Sequence, residues 1–188
     1  MSFLEDIDQR TGWPDELCVL LNEHPRASWQ QNMTPLARFW IGKHNDFRSQ
    51  CSILQTAADN FRERPDKLEE FGAQVVPRTR RLISHLHGHH QIEDLHYFPA
   101  FRAADRHLGP GFDVLSSDHE LLHESSLSVV ETLNAFRNTL GESSEGTIDN
   151  QRRAADRYIE ASELLCRRIV RHLDDEEDLV IPLMLAHG

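Results

Sequence analysis

Apolar residues return every three or four positions through most of the chain, and nowhere do they alternate with polar ones over a sustained stretch. That period is helical, so the pattern predicts an all-α protein. Thr34 is a good N-cap and Pro35 a good first helical residue. From there Trp40, His44, Phe47, Cys51, Leu54, Ala58 and Phe61 mark one face of a first long helix. Pro65-Asp66 closes it and caps a second, expected from Lys67 to beyond Phe98, with Leu82, Leu86, His89 and Glu93 on its seam. Pro77 falls inside this stretch and predicts a kink or a late start. DRHLGPG at 105–111 reads as a turn, after which a third helix runs from Phe112 to Leu140 with Val130 and Leu133 facing inward. A polar loop at 141–146 leads to a fourth, Ile148 to Leu185, with Tyr158, Leu165, Ile169, His172, Glu176 and Leu179 along one stripe.

Four long helices with short connections make antiparallel neighbours the natural arrangement. The expected fold is an up-down-up-down antiparallel four-helix bundle over residues 34–188, with residues 1–33 as a short N-terminal extension packed on it.

Polar residues interrupt the seams at one depth. His89 is followed by Glu93 and His172 by Glu176, each pair four residues apart and so on one helix face. His119 and His123 share that spacing on the third helix, and His44 sits among aromatics on the first. Counting from the turns at about 1.5 Å per residue places all seven in one layer. A lone core histidine is more often a hydrogen-bonded packing residue than a ligand. Two carboxylates in one core are different, because burying them without cations is costly. Imidazoles and carboxylates together suit iron, manganese or zinc. If both glutamates bridge two ions, five imidazoles divide three and two, and one ion keeps an open position.

The remaining histidines carry less signal. His85 could reach the site, His96 suits a supporting position one turn past Glu93, and His87 and His90 are expected in solvent. Cys51 and Cys166 read as small core residues, and Glu177 lies off the seam beside Glu176.

At 188 residues the chain is long enough for one domain with a real core. A net charge of −11 with no basic block argues against nucleic acid or an anionic membrane as partner. No apolar run spans a bilayer, the first residues do not resemble a signal peptide, and three cysteines form no pairing motif. A cytoplasmic location is expected.

One histidine in HNDFR on the first helix, HxxxE on the second, HxxxH on the third and HxxxE on the fourth resemble the hemerythrin-like (HHE cation-binding) family of bacterial type. The resemblance covers roughly residues 35–185. It implies a non-heme di-iron centre with a bridging oxygen, held by His44, His89, Glu93, His119, His123, His172 and Glu176. Oxygen-carrying hemerythrins of invertebrates place the last carboxylate five residues past the histidine, which here is Glu177; the repeat with Glu93 favours Glu176. A ferritin-like site would need a second Glu-x-x-His, which neither Glu176 nor Glu177 supplies. The resemblance implies binding of O2 or nitric oxide, for O2 binding or redox sensing. Reduction of nitric oxide or peroxide, with an electron donor or protein partner, is the enzymatic alternative, and iron storage or delivery a third.

Overall fold

In the computed structural model, which describes residues 6–140 and 147–187, every regular element is helical and no strand occurs among the described residues. Two short helices, α1 (Val19–Glu23) and α2 (Arg26–Asn32), precede four long segments. α3 spans Pro35–Glu63, and Thr34 Oγ1 accepts the Ala37 N–H at its start, as its N-cap chemistry predicts. α4 spans Leu68–Ile92 and continues through Pro77, so the late start expected there does not occur. The break comes later: Glu93–Tyr97 is a π-helical turn, after which α5 (Phe98–Ala104) resumes α-helical geometry. The glycines of the expected turn open a helix instead, because α6 runs Gly109–Thr139 with Pro110 in its first turn, where a missing N–H costs nothing. α7 spans Thr147–His187. The polar loop expected at 141–146 lies outside the described residues.

Neighbouring helices meet at two depths. Phe61 of α3 stacks on Phe71 of α4, and farther along the same pair His44 meets His89. Phe136 of α6 packs on Phe71 and Tyr158, while His119 meets His90 and His172. The apolar interior forms two clusters. One holds Phe47, Leu86, Leu122 and Leu173 at its near edge. The other begins at Trp40, Phe98, Leu115 and Leu179 and takes in Trp13, Leu17 and Trp29 from the N-terminal residues. Between the two clusters, on every long helix, lies the histidine and glutamate layer. On α6 the inward position is Val129 and not Val130, which is 36% exposed.

Candidate metal centre

α4 brings two adjacent histidines to the centre, not one. Successive helical residues are turned by about 100°, so His89 and His90 straddle the inward direction set by Leu86. His89 leans toward α3, its ring 5.3 Å from His44 and 5.0 Å from Phe47. His90 leans toward α6 and stacks on His119, centroids 3.9 Å apart and nearly parallel. His90 is 7% exposed, which corrects the expectation that it is solvated. His123 is the counterpart: on α6 the inward face passes from His119 to Leu122, and His123 is exposed beside His87. The expected seven therefore arrive as six, with His90 joining them.

The donors fall into two groups, each with its atoms within 4.8 Å of one another: His44, His89, Glu93 and Glu176, and His90, His119 and His172. The glutamates reach toward both. Glu93 Oε1 lies 2.9 Å from His89 Nε2, and Glu93 Oε2 lies 3.5 Å from His119 Nε2. Glu176 Oε1 lies 3.5 Å from His44 Nε2, and Glu176 Oε2 lies 3.4 Å from His172 Nε2. The π turn begins at Glu93, and its extra residue lets that carboxylate point inward while His96, expected to support the site, turns to solvent.

Many of these atoms have no protein partner. His44 Nε2, His89 Nε2, His90 Nε2, both oxygens of Glu93 and Glu176 Oε2 are buried without a hydrogen bond. The 2.9 Å approach of His89 to Glu93 is close but not aligned for one. Unpaired buried polar atoms are costly one at a time. Here six converge, and all are of types that ligate metals. The donor set fits a pair of cations.

Behind the donors, carboxylates hold the far side of three imidazoles. His44 Nδ1 lies 2.9 Å from Glu177, His119 Nδ1 3.0 Å from Asp94, and His172 Nδ1 3.3 Å from Asp118. A ring N–H given to a carboxylate fixes the tautomer and leaves Nε2 facing inward. Glu177 also accepts from Arg48 at 2.7 Å, so Glu176 faces the centre and Glu177 backs it. Asp118 is joined to the buried Arg10, which also donates to Asp175 at 2.7 Å. Trp40 Nε1–H donates to Glu176 Oε1 at 2.6 Å. Sequence spacing missed Asp118 and Arg10: Asp118 sits beside His119 on the inward face, but nothing in the irregular first residues singles out Arg10.

Burial and crowding set the charges. Burial first, then neighbouring imidazoles, push His89 down to about 3 and His90 well below the ordinary histidine value. Burial and then the Glu176 charge push Glu93 well above the usual carboxylate range. Burial works against charge on Glu176 and His172 as well, but their partners win. His44, His172 and His89 lower Glu176, while Asp118 and Glu176 raise His172 to about 9.

Against this geometry, the family model for the hemerythrin HHE cation binding domain matches residues 36–184. The chain belongs to that family. No curated protein and no solved structure matches it. The match covers all four long helices and the donors of both groups, and the HHE description is of a cation-binding domain. None of the described helices is long and apolar enough to cross a membrane. One face of the centre is open: a cleft of about 640 Å³ between α3 and α4 reaches His89 and Glu93.

Proposed function

We propose that this HHE protein is a non-heme di-iron protein that reacts with a small oxidant, O2 or nitric oxide, in an up-down-up-down four-helix bundle over residues 34–188. The carrying observation is the convergence of six buried, unpartnered donor atoms in two adjoining groups, with the two glutamates of one group reaching to within 3.5 Å of His119 and 3.4 Å of His172 in the other. His44 and His89 would hold one ion and His90, His119 and His172 the other, with Glu93 and Glu176 spanning both. Two imidazoles and two carboxylate oxygens leave the first ion less filled than the second. When bound, the iron pair supplies electrons and an open coordination position for a diatomic ligand.

The chain's own residues do the rest. Trp40 orients Glu176, and Glu177 and Asp118 fix the tautomers of His44 and His172. Arg10 from the N-terminal extension supports Asp118, so the extension braces the bundle at that point. The cleft at His89 favours turnover with O2, nitric oxide or peroxide, fed by an electron donor, over sealed carriage. Three free cysteines suit the reducing cytoplasm included in this reading.

The test is a visible spectrum of the reduced, iron-loaded protein before and after O2 or nitric oxide, with and without an electron donor. A gas-dependent band is expected; its reversal on removing the gas means binding or sensing, and donor-dependent consumption of the gas means an enzyme. A protein carrying two irons whose spectrum neither gas alters would contradict the proposal and leave iron storage or delivery.

A further inference from the structure

The cleft between α3 and α4 is far larger than a diatomic molecule requires. Its volume of about 640 Å³ falls in the range of pockets that enclose drug-sized ligands, about 300–1,000 Å³. Its apolar lining includes Trp40, Phe47, Leu82 and Tyr97, deep on the side of His89. Phe39 and Ile92 also line it, and both are more than half exposed, so apolar surface at the lips lies uncovered.

Charge at the opening is specific. Lys43 on one lip and Arg81 on the other line the cleft, and neither makes an ion pair with a carboxylate among the described residues. Lys43 instead lies over the Phe39 ring at 5.5 Å. Asp46 stands on the same lip as Lys43, so the opening carries an excess of one positive charge on a chain whose net charge is −11. Gly88 gives the cleft its depth. A Cβ added there would meet nothing within 4 Å, so the space in front of it is free.

We propose that this cleft binds an organic anion with an apolar body. The body lies against Trp40 and Phe47 beside His89, and the acid group stays at the opening with Lys43 and Arg81. This rests on the metal reading only for what the bound molecule faces at its inner end; the cleft and its charges stand without it. Such a molecule would be a second substrate or an effector held next to the less filled ion.

Calorimetric titration of the iron-loaded full chain with 4-phenylbutyrate, and with 4-phenylbutanol as its uncharged match, tests the idea, with iron content measured on every sample. Saturable binding of one phenylbutyrate per chain is expected, about tenfold tighter than the alcohol, and weakened about tenfold in Lys43→Ala/Arg81→Ala. Gly88→Leu should abolish binding with iron content unchanged. If that variant loads iron poorly, Ser84→Phe, one turn earlier on the same face, takes its place. No binding by protein that holds its iron would overturn the pocket while leaving the metal reading intact. Binding that survives filling the cleft, or that ignores the carboxylate, would overturn it too. Phenylbutyrate binding by protein that takes up no iron when offered it would support the pocket and count against the metal reading alone.

Discussion

Three histidines at the centre, His44, His119 and His172, give one ring nitrogen to a carboxylate and turn the other inward, and substitutions should separate the two roles. Asp118→Ala leaves the His172 Nε2 in place but frees its Nδ1. Loss of such a supporting carboxylate typically weakens metal binding 10–100-fold, about what we expect from competition with a chelator. Arg10→Ala strips Asp118 of its buried cation, while Asp175 keeps Arg171. Breaking a buried pair in this way costs about 3–5 kcal/mol, which denaturant unfolding would read. His90→Ala should lose metal and His123→Ala should keep it, as metal content per chain would show; the reverse order would restore the spacing-based ligand set. Protons compete at the same atoms. In the metal-free chain His172 is raised to about 9, so it holds a proton at neutral pH that a metal must displace, and burial beside Glu176 raises Glu93 in the same direction. Apparent metal affinity should therefore climb as pH rises through neutrality and level off above about 9. The same His172 shift stabilises the metal-free fold below its unfolded value and is lost as pH rises through about 9. The sequence pattern pointed to His44, His89, Glu93, His119, His172 and Glu176, which the fold brings close together, because each sits on an apolar stripe. It placed His90 in solvent and His123 inward, the reverse of their burial, because steps of three and four both stay near a helical seam and only packing chooses between them.

Among the elements, the second long segment departs most from a regular helix. Glu93–Tyr97 carries one residue more than an α-helical path needs, and Leu95 within it is 70% exposed. Deleting Leu95 should restore α-helical winding with Glu93 and Phe98 four positions apart, about 40° around the helix, so both still face inward. Inserting one residue there instead should turn α5 by about 100° relative to α4 and carry Phe98 out of the core. The expected result is metal content and Tm close to the parent's for the deletion, and a lower Tm with reduced metal content for the insertion. Loss of metal in the deletion would mean that the turn itself, and not the shared face, positions Glu93. No residue announces this turn, since its backbone ring is set by what Glu93 and Phe98 must each reach. Pro77, by contrast, is conspicuous in sequence and leaves α4 unbroken. Helix existence and the site's depth along the chain were legible from periodicity, whereas helix starts near Gly109 and the π turn were not.

For the whole molecule, the polar layer divides two apolar clusters that would otherwise meet. Without metal, that layer leaves buried nitrogen and oxygen atoms unpaired and is the weak plane of the fold. Metal binds the folded state and not the unfolded chain, so Tm should rise with free metal and fall on chelation. A Tm indifferent to chelator, on protein that has lost its metal, would place the stability in the apolar clusters alone. The central claim is two metal ions shared between Glu93 and Glu176, and counting them tests it most directly. Elemental analysis of protein purified without an affinity tag should find about two irons per chain, falling to one or none in His90→Ala. A single zinc per chain, or no metal retained at all, would contradict the account.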